Sequence, residues 1–244
     1  MPAFLFPIER DIRKGHLGMK NYSVSSDIRR ALTSKGFLTG TAGMALMIFI
    51  ASLNSIASLL RGTDLLPVGY HAQLILDALA SDAVTLALPI LCTLPFATAF
   101  IDDIKSGYIK QYLPRAGLKP YIREKLIACG LSGGLALLTG IMTAYGLSAL
   151  VFTPMELAPD PDMIIQPYYA RILTCGSILF LSGAFWSLTG FTFAALTMSR
   201  YMAYASPFIL YYVLIILHER YFGELYVLYP KEWLFPSGAW VLGD

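Results

Sequence analysis

Charge is scarce in this sequence. Asp, Glu, Lys and Arg make up 14% of the 244 residues, against about 25% in an ordinary soluble domain. Hydrophobic residues reach 56%. These proportions argue against a typical soluble domain and suit a chain that crosses a membrane several times. Cysteine is scarce as well. Cys92, Cys129 and Cys175 all lie in apolar stretches, and no pair has metal-ligand spacing. They read as small buried side chains, and neither a metal nor a cofactor site is expected. No G-x-x-x-x-G-K-[ST] occurs, which excludes ATP binding through a P-loop on this chain. A cleavable signal peptide is not expected either. The first 36 residues are too polar and the apolar run after them is too long, so the first span should direct insertion.

What the sequence does have is a series of long uncharged runs. Five spans are expected: Phe37–Leu60, about Ala83–Ile101, about Leu126–Phe152, about Ile172–Met198 and a short one at about Ala205–Leu217. A helix needs about 20 residues to cross the hydrocarbon core. Pro89 and Pro95 should kink the second span. Pro120 suits the first turn of the third helix. Gly130 and Gly134 form a G-x-x-x-G, and Gly183 with Ser187 is another small pair; both permit close helix approach. Ser52, Asn54, Ser55 and Ser58 are expected to bond a neighbouring helix. Arg61–Asp82 reads as a loop with a weakly helical piece, Ala72–Ala80, and Asp77 and Asp82 belong at the outer interface. Ser199–Tyr204 reads as a tight turn. The fold class is therefore an all-α polytopic bundle in three parts: 1–36, 37–217 and 218–244.

Before the first span, Val24, Ile28, Ala31 and Leu32 recur at i, i+4, i+7 and i+8. This is one apolar helix face, expected to lie on the inner membrane surface. Beyond the fifth span, Tyr221, Phe222, Tyr226, Tyr229, Trp233, Phe235 and Trp240 crowd the tail. Such aromatics favour a membrane interface, so the tail should fold back rather than extend into water. Fourteen of the eighteen Lys and Arg fall in 1–36, 102–125 and at Arg200. By the positive-inside rule those segments and the N-terminus are cytoplasmic, which leaves the tail outside.

Gly130-Leu131-Ser132-Gly133 matches the G-x-S-G of intramembrane serine proteases, a short match in a glycine-rich span. A serine nucleophile needs a base within about 3 Å. His71 and His218 lie at other depths, and His16 sits in the polar N-terminus with no positioned partner, so no catalytic residue is assigned. Asp102 and Asp103 are the one adjacent acid pair, and read either as a solvated helix end or as a contact with a partner. Next comes Tyr108–Leu113. Tyr108 with Tyr112, and Ile109 with Leu113, have the i, i+4 spacing of helix neighbours. So short a helix is not stable alone in water and needs a groove on another protein. Gly107 frees the backbone before it and Pro114 stops it.

The stretch LPFATAFIDDIKSGYIKQYLPRAGLKPYIREK resembles the ABC exporter permeases of the second type. In that family a span is followed by an acidic residue, a Ser/Thr-Gly pair, a short coupling helix, a Pro or Arg, and the next span. The matching pieces here are Asp103, Ser106–Gly107, Tyr108–Leu113, Pro114–Arg115 and Lys125. Val24–Lys35 matches the family's connecting helix, and YPKEWLFPSG from Tyr229 looks like its outer segment before the last span. The resemblance covers nearly the whole chain through the order of these pieces; each motif alone is loose. The family has six spans where this chain shows five, so the sixth either lies outside this sequence or is absent from this member. The resemblance implies a bacterial cytoplasmic-membrane permease, paired with an identical or sister chain. Two separate ATPase subunits would carry the ATP and Mg, and no nucleic acid is expected. An amphipathic or apolar substrate (peptide, lipid or drug) fits spans with few charges. The alternative is a non-transporting immunity, sensor or binding subunit. The ATPase contact is expected at Asp102, Asp103, Tyr108, Ile109, Lys110, Tyr112, Leu113 and Arg115. The apolar anchors should outweigh the charges, since rim ion pairs are worth about 0–1 kcal/mol each.

Overall fold

Long uncharged runs become long helices. A computed structural model describes residues 24–61, 66–110, 117–156 and 168–234. These residues are almost entirely helical, with one isolated bridge between Leu66 and Glu156. Helix α1 covers residues 24–32. It is followed by α2 (Lys35–Arg61), α3 (Tyr70–Leu79), α4 (Asp82–Leu91), α5 (Ala99–Lys105), α6 (Leu118–Phe152), α7 (Tyr168–Thr197), α8 (Arg200–Arg220) and α9 (Pro230–Leu234). Four of them, α2, α6, α7 and α8, are long and apolar enough to cross a membrane; α3 and α4, bent by 70° at their junction, make a fifth candidate together. The outward faces are apolar: Leu38, Leu150, Leu173, Leu181 and Leu196 are each at least 65% exposed. A surface of that kind suits hydrocarbon and is costly in water.

The second span differs from the sequence expectation. Ala83–Ile101 is not one helix: α4 stops at Leu91, residues 92–98 form successive turns, and α5 starts at Ala99. Pro89 and Pro95 each lack the amide proton that would continue the ladder. The α2 backbone presses on the break. A Cβ added at Gly36 would lie 2.1 Å from the Leu94 carbonyl oxygen, and one at Gly40 2.9 Å from that of Leu91. Ser34 Oγ donates to the Pro95 carbonyl at 3.2 Å. The expected loop at Arg61–Asp82 is also different. Its helical piece α3 is buried on every side but one, with Gln73, Asp77 and Ala80 exposed. Ten residues are too few to span, so only packing against α2 and α6 reveals α3 as a core element.

Met44 and Ile48 of α2, Ile75 and Leu79 of α3, Leu88 of α4, Leu137 and Ile141 of α6, and Trp186 of α7 form the central core. The α6–α7 crossing is tight at Gly133, Gly134 and Gly183. A Cβ at Gly133 would sit 2.4 Å from Ser187 Cβ, and one at Gly134 2.6 Å from the Phe180 carbonyl oxygen. Gly130 has ordinary room against Leu188, so Gly133 takes the role expected of it. The α2 hydroxyls bond their own helix instead of a neighbour: Ser52 to the Ile48 carbonyl and Ser58 to that of Ser55. It is Thr41 that reaches across, 3.1 Å from Thr139 of α6. Ser132 likewise donates to its own helix, at the Cys129 carbonyl. The expected turn at Ser199–Tyr204 shrinks to Met198 and Ser199, with Met198 left-handed at φ 51°. Past α8 the chain turns back, and Trp233 stacks on the buried Trp186 at 6.1 Å and 18°. Phe235 and Trp240 lie outside the described residues.

Two glycine substitutions test this packing. Gly133→Ala should destabilise by about 1–3 kcal/mol, because Ser187 and the Cys92 carbonyl leave no space. Gly146→Ala, with nothing within 4 Å, should be neutral or stabilise by up to about 1 kcal/mol. Thermal unfolding in detergent distinguishes the two.

Candidate functional site

The chain passes back and forth between two ends of the bundle. One end gathers α1, α5, the start of α6 and the α7–α8 turn. At its centre is Asp103, whose side chain is 2% exposed. Three groups reach it. Arg30 of α1 donates from Nη1 to Oδ1 at 3.0 Å. Lys125 of α6 lies 2.8 Å from Oδ2, and Tyr121, one helical turn before Lys125, donates its hydroxyl to Oδ2 at 3.0 Å. Lys125 is itself 2% exposed and also donates to Asp27 of α1 at 2.8 Å. Its ammonium lies 5.3 Å from the Phe96 ring centre and 5.5 Å from that of Tyr121, close enough for cation–π attraction. Burial pushes the Asp103 carboxyl up, but the hydrogen bond and charge of Lys125, with the hydrogen bonds of Arg30 and Tyr121, outweigh it and hold it below its ordinary value.

Asp102 has a separate partner. Its Oδ1 pairs with Arg200 at the start of α8, at 2.5 Å, and its Oδ2 accepts from Thr98 at 3.1 Å. The acid pair thus ties α5 to three other helices, with Asp103 inward and Asp102 at the rim. This corrects the expectation for Asp103. It does not face a partner protein, because cations on α1 and α6 draw it into the fold. The rim charges are weak individually, whereas a buried pair broken on one side is costly.

Beyond Asp103 the surface opens. Ile104 is 37% and Tyr108 44% exposed; Lys110 is exposed and Ile109 half-buried. The Ser106 amide closes α5 onto the Asp102 carbonyl at 2.9 Å, and Gly107 follows in the left-handed region at φ 73°. Residues 108–110 are helical. Tyr112, Leu113 and Arg115 lie outside the described residues. The helix α1 is anchored to the bundle and does not simply lie on a surface. Ala31 is fully buried, and Asp27 and Arg30 turn toward the protein, while Val24, Ile28 and Leu32 line a groove beside α6. Asp27, Arg30 and Tyr121 were not singled out from sequence as site residues; the one local signal is that Tyr121 and Lys125 share a helix face at i, i+4.

The other end has its own polar joint. Glu156, just past α6, accepts from the backbone amides of Gly69 and His71 at 3.0 and 2.8 Å. It also lies 2.7 Å from His71 Nδ1, and His71 Nε2 lies 3.3 Å from the Tyr145 hydroxyl. Burial raises the Glu156 carboxyl, and these hydrogen bonds more than reverse it, leaving it below its ordinary value. The joint fixes the start of α3 to the end of α6. At the same end Lys231 of α9 pairs with Asp82 of α4. Comparison with family models, with curated proteins and with solved structures found no match.

The Asp103 network makes a signed prediction. Its carboxyl titrates lower folded than unfolded, where the ordinary value is about 3.9. Its stabilisation is therefore complete above that value and lost as pH falls through the lower folded one. Asp103→Asn should cost about 3 kcal/mol or more at neutral pH, because Lys125 and Arg30 lose their shared acceptor. The acid limb of the unfolding profile should flatten in the variant. A loss below about 1 kcal/mol in pH-resolved thermal unfolding would show that the network does not hold these helices.

Proposed function

We propose that this chain is the membrane-spanning permease subunit of an ATP-driven ABC exporter of the second type, in a bacterial cytoplasmic membrane with its N-terminus inside. The resemblance of the Asp102–Lys125 segment to that family's coupling loop first suggests it. The observation that carries it is the anchoring of that segment: Asp103 and Asp102 fasten α5 to α1, α6 and α8, while Ile104 and Tyr108 stay exposed beside them. A partner gripping Ile104 and Tyr108 would pull on three helices at once. This is what a subunit needs if force generated by ATP binding elsewhere is to move its membrane helices.

In this reading the chain performs no covalent chemistry. Two ATPase subunits carry ATP and Mg, and a second permease, identical or sister, completes the pathway. The transported substrate is amphipathic or apolar, since charged side chains concentrate at the helix ends and within the bundle ends' ion pairs. The anchors for the ATPase are Tyr108, Ile109, Tyr112 and Leu113, with Asp102, Lys110 and Arg115 setting orientation at the rim.

The complex purified from its native membrane should contain an ATPase whose hydrolysis this chain stimulates. Replacing Tyr108, Tyr112 and Leu113 by Ala should reduce that stimulation by about tenfold or more, the loss expected when interface anchors each worth over about 1 kcal/mol are truncated. Membrane insertion should be unaffected. Normal stimulation in the triple variant would refute the coupling assignment. A chain that purifies with no ATPase would favour the non-transporting alternative.

A further inference from the structure

The cations at the Asp103 end differ in their partners. Arg30, Lys125 and Arg200 are each paired with an aspartate. Arg29 of α1 and Arg123 of α6 are exposed and have no carboxylate partner among the described residues. Both face the same open groove between α1 and α6, of about 710 Å³. Its apolar lining is Val24, Ile28 and Leu32 from one helix face of α1 and Ile127 from α6. Ile127 lies one turn further along α6 than Arg123, toward the long apolar part of that helix.

Each guanidinium in the groove has branched aliphatic neighbours: Arg29 has Ile28 and Leu32 beside it on α1, and Arg123 has Ile127 one turn along α6. Arginine forks match phosphate oxygens and hold them with charge-assisted hydrogen bonds. Neighbouring aliphatic groups favour a hydrocarbon chain over water. A soluble anion would use the first feature and leave the second idle. A zwitterionic lipid would bring its own cation close to the arginines. We infer that this groove binds an anionic phospholipid, its headgroup phosphate on Arg29 and Arg123 and the upper part of an acyl chain along Ile28, Leu32 and Ile127. The lipid would brace α1 against α6 beside the Asp103 network, and so make that network's rigidity sensitive to membrane composition. The inference rests on the membrane reading above.

The test uses the full chain in detergent, titrated with phosphatidylglycerol and followed by native mass spectrometry and thermal unfolding. The wild type should retain bound phosphatidylglycerol and melt higher with it. Phosphatidylcholine should neither bind comparably nor compete. The double variant Arg29→Gln, Arg123→Gln should bind about tenfold more weakly, since each surface cation near an anionic lipid is worth about the same modest amount and two together exceed one decade. Its melting temperature without lipid should be unchanged, because neither side chain has a carboxylate partner among the described residues. Lys119→Gln, another exposed cation at this end, should behave as wild type. Equal retention in wild type and double variant would overturn the inference, as would full displacement by inorganic phosphate alone. Either result would leave the membrane reading intact, which fails separately if the chain fractionates away from membranes.

Discussion

A buried carboxylate demands cations, and Asp103 obtains them only by drawing α1, α5 and α6 together. Taking the acid and Lys125 out of water is costly for each alone. The cost is offset because every oxygen of Asp103 is engaged and Lys125 meets two carboxylates and two aromatic faces. None of these helices can leave without exposing an unmatched charge in a low-dielectric setting. The position of α1, which apolar patterning alone would leave free on a surface, follows from that constraint.

Close backbone approach provides the second constraint. Glycines on α2 and α6 let carbonyl oxygens of neighbouring chain segments come nearer than any Cβ would permit. At Gly36, Gly40 and Gly133 they do so where Pro89 and Pro95 interrupt the chain between α4 and α5. A broken helix in an apolar environment leaves carbonyls that need partners, and Ser34 supplies one from the α1–α2 junction. The break, the glycine face of α2 and the seat of α1 are therefore one structural problem with one solution.

The two ends of the bundle are built differently. At the Glu156 end, a short joint of His71, Glu156 and Tyr145 and an aromatic stack on Trp186 close the structure on itself. At the Asp103 end, the inner charges are consumed in pairs while Ile104, Tyr108, Arg29 and Arg123 remain turned outward.

Much of the helical plan was legible because uncharged runs of more than about 20 residues have one stable form in hydrocarbon. Phe37–Leu60 and Leu126–Phe152 fall inside α2 and α6, and Ile172–Met198 overruns the end of α7 by one residue. The short α3 and the broken second span were not legible as such. A ten-residue apolar piece has no signature that separates a loop from a core helix, and a proline says that a helix is disturbed but not where the chain then goes. At the site, the acid pair, Gly107 and the exposed turn after it stood out from residue types alone. Which acid faces inward did not, because Asp102 and Asp103 are chemically identical. By itself the sequence determined the all-helical class, the apolar exterior and the crowding of positive charge at particular segments, since these depend on composition and period. Only the tertiary structure decided that Asp103 is a structural keystone and Asp102 a rim residue: the difference lies in Arg30, 73 positions away, and in Arg200, which pairs with Asp102 from the start of α8. Pairings over such separations are set by packing, not by any local pattern.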